Sequence, residues 1–229
     1  VARATERTAV IRIYCERDGP GWFMEPLNTA SGLAFFISAW QAWKQLDRER
    51  WQEQWDLHLL SGLIALVGVA SILWHASAFA WAQWFDTAAI AAFVFVYWSV
   101  FLARIQRVKA LGMLVAWTLT AAAIAGLLAF IPPAALGGTL SYLPLLLLLL
   151  VGMGLAFRID RRLARDLLLA AAIFVLALVV RALDLLLCDW AVVGTHWLWH
   201  LLVAGLLFVL VDGLIRHVHL REEQARDDG

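Results

Sequence analysis

LHLLSGLIALVGVASILWHASA, residues 57–78, decides what kind of protein this is. About 20 mostly apolar residues in helical form cross the hydrocarbon core of a bilayer, and this stretch supplies them without one Asp, Glu, Lys or Arg. Outward from it, stretches of similar length and character lie at roughly 23–43, 84–103, 110–131, 139–157, 166–188 and 196–215. The connections are short, and there is no linker, second domain or internal repeat. The reading is an all-α membrane protein, one seven-transmembrane bundle over residues 1–229. Composition agrees: 63% of residues are hydrophobic and 16% charged, with mean hydropathy +0.77, against about 45–50% and about 25% in soluble domains. Eighteen basic and eighteen acidic residues give no pull toward nucleic acid. The opening VARATERTAVIRIYCERDGP lacks the apolar core of a signal peptide, so the first span is expected to act as the insertion signal.

Lys and Arg accumulate on the cytoplasmic side of membrane proteins. Here they follow span 1 (Lys44, Arg48, Arg50), span 3 (Arg104, Arg107, Lys109), span 5 (Arg158, Arg161, Arg162, Arg165) and span 7 (Arg216, Arg221, Arg226), and the opposite loops have none. The N-terminus is therefore expected outside and the C-terminus in the cytoplasm. The tail, with Arg3, Arg7, Arg12 and Arg17, is the one dissenting segment. Tryptophans near the span ends (Trp22, Trp74, Trp81, Trp84, Trp190 and Trp197 outside; Trp40, Trp43, Trp51 and Trp55 inside) read as interfacial belts.

Ionisable groups inside a bilayer are costly and usually functional. With this orientation, Glu25, Asn28, Thr29 and Ser31 on span 1, Ser71 and His75 on span 2, Asp86 on span 3, and His196 and His200 on span 7 all fall at one level near the outer boundary. His196 and His200 are four apart and share a helix face. Three neutral imidazoles from two helices make an incomplete tetrahedral shell for Zn²⁺, with the fourth position left for water. Asp86 is placed to take that water's proton and Ser71 to hold the water or an oxyanion. His58 reads as an interfacial or hydrogen-bonded residue, His217 and His219 as solvated groups of a basic tail, and Arg181 with Asp184 as an ion pair within span 6.

At these residues the chain resembles the alkaline ceramidases, in the wider superfamily of seven-span putative membrane hydrolases. The matching pieces are YCERD at 14–18, EPLNTASG at 25–32, SILWHASAFAWAQWFD at 71–86, RALDLLLC at 181–188 and HWLWH at 196–200, in order along the whole chain. The resemblance implies a zinc-dependent amidohydrolase acting on a linear amide, the N-acyl bond of ceramide or a ceramide-like lipid, with a sphingoid base or lipid amine and a fatty acid as products. By position it implies His75, His196 and His200 as zinc ligands, with Asp86 and Ser71 as catalytic residues. It also implies Ca²⁺ near the outer end, where Glu16, Asp18, Glu25 and Asn28 fall at or near the family's positions. Ile13 stands where the family has its first acidic residue, and Tyr14 where it has Trp. Cys15 and Cys188 lie on one side of the membrane, and a Cys15–Cys188 disulfide is expected, as the resemblance also suggests; two unrelated buried thiols are the alternative. The expected setting is a bacterial inner membrane, with the site toward the periplasm, a membrane lipid as substrate and no protein partner.

Two other readings use the same residues. A seven-span lipid sensor of the adiponectin-receptor type would carry the His/Asp set around a structural zinc, but with the opposite orientation, which the loop charges oppose. A haem-binding membrane protein would need axial imidazoles on opposite faces of one ring, which His196 and His200 on one helix cannot provide, though His75 with either could.

Overall fold

The computed structural model describes residues 13–17, 19, 21–46, 51–132 and 135–227, and among these the chain is all helical. The helices are α1 (Pro26–Ser31), α2 (Leu33–Trp43), α3 (Trp51–Ser77), α4 (Ala80–Arg104), α5 (Ala110–Leu128), α6 (Leu143–Phe157), α7 (Arg161–Leu183) and α8 (His196–Asp227). Short 3₁₀ turns occupy Thr139–Tyr142 and Asp184–Leu186. Helices α3 to α8 are each long and apolar enough to cross a membrane. Arg3, Arg7, Arg12, Arg48 and Arg50, which entered the orientation argument, lie outside the described residues.

The expected first span, 23–43, is two helices of 6 and 11 residues meeting at Gly32. The join packs closely on α3. A Cβ at Gly32 would lie 2.6 Å from Ile72 Cγ1, and one at Gly68 would lie 2.9 Å from Phe35 Cβ. Small residues at such crossings let backbones approach. At the join, the Gly32 N–H reaches Thr29 O, a tighter step than the α-helical one.

Helix α8 is the axis of the bundle, packed on α7, α2, α1 and α3. Helix α5 sits at the rim beside α4 and α6, and none of its 19 residues is buried. Between α3 and α4 only Ala78, at φ +53°, and an extended Phe79 turn the chain. That tight reversal sets His75, near the end of α3, close to the level of Asp86, near the start of α4.

Three expectations need correction here. Helix α8 continues past 215 to Asp227, because Leu214, Ile215 and Val218 keep a buried apolar face going. His217 is consequently buried, with Nδ1 2.6 Å from Asp160 Oδ2, and His219 Nε2 lies 3.4 Å from Gln54 Nε2; neither is a free tail residue. Trp74 is no belt residue: it is 2% exposed and packs with Tyr14, Ala78 and Ala82. His58 is also buried, with Nδ1 3.0 Å from Gln54 O, in keeping with a hydrogen-bonded role.

Candidate metal centre

The sequence places His75 on α3 and His196 and His200 on the first turns of α8, and the fold brings them together. One ligand nitrogen from each lies within 4.8 Å of the others, and all three residues are buried. Their ring centroids are 4.6, 4.8 and 5.0 Å apart. A haem would need two of these rings separated by its own plane, so three rings this close suit a single ion instead.

Each ring is held from behind. His75 Nδ1 lies 2.6 Å from Glu25 Oε2. His200 Nδ1 lies 3.0 Å from Asn28 O and 2.7 Å from Ser31 Oγ, whose hydroxyl donates to Asn28 O at 2.9 Å. A ring that donates through Nδ1 presents an unprotonated Nε2, the form a metal takes, and an acceptor behind the ring fixes that tautomer. His196 is placed differently: Tyr14 stacks on its ring at 3.8 Å between centroids, and Arg181 NH1 is 3.4 Å from its Nδ1. The donor set of three buried imidazoles, two with a fixed tautomer, fits Zn²⁺ with an open fourth position.

Ser71 and Asp86 line the same small cavity, about 20 Å³, as His196 and His200, enough for about one water. Ser71 Oγ is 3.4 Å from His200 Nε2. Among the described residues Asp86 makes no hydrogen bond, and its carboxylate is half-buried at the cavity wall.

The segment before α1 straps the site. A disulfide joins Cys15 to Cys188, with Cα atoms 5.2 Å apart. Asp184 is the hub beneath it: Oδ2 accepts from Cys15 N at 3.1 Å, and Oδ1 accepts from Thr195 N at 2.6 Å and His196 N at 2.9 Å. The carboxylate thus satisfies the first free amides of α8, where a negative group is favourable. Gly194, at φ +61°, makes room for it; a Cβ there would lie 2.8 Å from Cys15 Cβ. The expected Arg181–Asp184 ion pair does not form, because these three N–H groups already claim the carboxylate. Here sequence spacing misled, since residues three apart on a helix often pair.

The calcium expectation finds no support. Glu16 accepts the α1 amides of Leu27 and Asn28 at 2.6 and 2.8 Å. Glu25 accepts from Arg17 Nε at 2.6 Å and Asn28 Nδ2 at 3.0 Å, besides contacting His75. Asp18 lies outside the described residues. The cation against Glu25 is the guanidinium of Arg17, 0% exposed, which also donates to His75 O at 2.9 Å and Gly21 O at 3.2 Å. Arg17 is therefore part of the framework around the site and not a free charge of the tail. Sequence reading missed Arg17 as part of the site; the hint was a lone Arg between Glu16 and Asp18 beside a buried Glu25.

A family model described as Ceramidase matches residues 14–228. No curated protein and no solved structure matches the chain.

Proposed function

The chain belongs to the ceramidase family, and from that membership we propose that it is a zinc-dependent intramembrane hydrolase of the N-acyl amide bond of ceramide or a ceramide-like lipid. The observation that carries this reading is the meeting of three buried imidazoles within 4.8 Å, beside a carboxylate and a hydroxyl in one cavity. His75, His196 and His200 would hold Zn²⁺, which supplies Lewis acidity and a water whose pKa falls to about 7.

The chain's own residues do the rest. Asp86 receives the proton of the attacking water and delivers it to the amide nitrogen as the C–N bond breaks, acting first as base and then as acid. Ser71 Oγ donates to the oxygen that gains charge as the carbonyl carbon becomes tetrahedral. Glu25, Asn28 and Ser31 keep two rings in orientation throughout. An apolar cavity of about 80 Å³ between α4, α6, α7 and α8 runs on from the site, sharing Ile90, Tyr142, Trp199 and Val203 with it, and its lining suits the first carbons of an acyl chain whose remainder lies in the bilayer. The orientation in this proposal keeps the loop-charge reading: N-terminus and site on the periplasmic side of a bacterial inner membrane, C-terminus in the cytoplasm.

The test is elemental analysis of the purified protein together with release of a fluorescent fatty acid from an N-acyl sphingosine. One zinc per chain and hydrolysis are expected, both lost in His200→Ala. Full hydrolysis by that variant would sink the scheme.

A further inference from the structure

The cavity that holds Asp86, Ser71, His196 and His200 has another charged wall, Arg181 of α7. Its guanidinium stays protonated at any ordinary pH. Among the described residues no carboxylate forms an ion pair with it, since Asp184 is engaged by backbone N–H groups. It is surrounded instead by three aromatic faces: Tyr14 at 5.7 Å, Tyr142 at 5.3 Å and Trp199 at 5.3 Å. Tyr14 Oη accepts from NH1 at 3.3 Å. The Nε–H is buried and has no acceptor.

Cation–π contacts, and the Asp86 carboxylate across the cavity, offset part of the cost of taking a cation out of water, but the donor at Nε remains orphaned, which is destabilising. Such a group in a cleft marks a place where a ligand completes the arrangement. Its position says which part of a ligand. NH1 lies 3.4 Å from His196 Nδ1, next to the proposed metal centre. Arg181 and Tyr14 also line a second cavity, about 170 Å³, walled by Leu136, Gly137 and the 3₁₀ turn. The pair is a partition. On one side lie the imidazoles and the apolar cavity beyond, and on the other a chamber at the strap. An amide at the imidazoles, with its acyl chain in the apolar cavity, directs its amine half at Arg181.

Resting on the hydrolase reading above, we propose that Arg181 recognises a carboxylate whose carbon lies two bonds from the scissile nitrogen. Anionic N-acyl lipids of the N-acyl-α-amino-acid kind are then cleaved as well as the neutral ceramide-like lipid of that reading, and faster. Arg181 supplies a charge-assisted hydrogen bond to the carboxylate, Tyr14 and Tyr142 shield it from water, and the carboxylate supplies the acceptor that Nε lacks.

N-palmitoylglycine and its methyl ester share chain and amide and differ by one charge. With the full chain in phosphatidylcholine nanodiscs, palmitate release from each is compared with release from N-palmitoylsphingosine. The acid is expected to show kcat/KM about 10–100-fold above the ester. In Arg181→Met the acid-to-ester ratio is expected to collapse toward one, and in Arg181→Lys to recover in part, with zinc content equal in all three proteins. A wild-type ratio near one overturns the inference, as does an equal fall on acid and ester in Arg181→Met, which would mark a structural role. Should Arg181→Met fail to fold, the wild-type ratio and the Lys variant still decide. If none of the three lipids is cleaved, the hydrolase reading fails by itself. Tryptophan-fluorescence titration then decides on Arg181: tighter binding of the acid than the ester supports it, and equal binding overturns it.

Discussion

Helix α8 carries two histidines near each end, and the two ends use them in opposite ways. At one end His196 and His200, four apart on one face, meet His75 across the bundle with ligand nitrogens within 4.8 Å. At the other, His217 and His219 are two apart and diverge, one toward Asp160 at 2.6 Å and one toward Gln54 at 3.4 Å. Yet the two ends have one contact in common: His75 Nδ1 to Glu25 and His217 Nδ1 to Asp160 are both 2.6 Å. A carboxylate behind a histidine therefore does not mark a metal site. What distinguishes the first end is that a nitrogen of each ring converges on one point. Neutral imidazoles gain little from that arrangement in a dry interior unless a cation lies between them.

Removing one histidine from each end should give the widest separation. His200→Ala is expected to remove both bound zinc and N-acyl hydrolysis, while His217→Ala keeps both, read by elemental analysis and fatty-acid release on the same preparations. Loss of zinc from the His217 variant alone would mean the wrong end had been chosen. Next comes the shared contact. Glu25→Gln is expected to weaken zinc affinity by about 10–100-fold, the usual consequence of losing an orienting acceptor, whereas Asp160→Asn leaves it unchanged. A competitive chelator titration distinguishes them.

The strap gives a third, intermediate effect. Cys15 and Cys188 are 173 residues apart, so their bond excludes much of the open chain's freedom, and removing a native bridge typically costs about 2–4 kcal/mol. Replacing both by Ser is expected to lower the thermal midpoint. The zinc affinity should fall with it, because Tyr14 on His196 and Arg17 on Glu25 flank Cys15 in sequence. Unchanged zinc affinity would show that the strap stabilises the bundle without arranging the site.

How far the site could be read from sequence follows from where its information lies. The imidazole set was legible because ionisable residues are rare in apolar spans, and those of α3 and α8 agreed in depth. The helical class was legible from the apolar runs. The break at Gly32 was not, since the close approach there involves Ile72 of a different helix, α3. Nor was the buried state of His217: the polar LREEQ that follows at 220–224 reads as a solvated tail, and only the packing of α7 against α8 shows otherwise. Arg181 and Asp184 were paired by spacing, yet the partners that won, Cys15, Thr195 and His196, arrive from both ends of the chain. Spacing reports neighbours on one helix and is silent on competitors from others.

The mildest change is expected at Asp160, which does two jobs at the α7 N-terminus. Its Oδ1 accepts from Arg162 N at 2.8 Å and Leu163 N at 3.2 Å, a side-chain cap, while Oδ2 faces His217. Burial alone would raise its carboxyl, but the His217 side chain, with the two backbone N–H groups, outweighs that and holds it below the usual carboxylate range. A carboxyl lowered by folding stabilises the fold fully above its unfolded pKa of about 3.9, and that contribution disappears as pH falls through the lower folded value. Asp160→Ala is expected to cost about 0.5–2 kcal/mol at neutral pH. The substitution is best made in a His200→Ala background, so that zinc release does not enter. There the gap in thermal midpoint between the protein that keeps Asp160 and its Asp160→Ala variant should stay constant from about pH 7 to about pH 5 and close below about pH 4. A gap that closed already above about pH 5 would overturn the assignment of the effect to the Asp160 carboxylate.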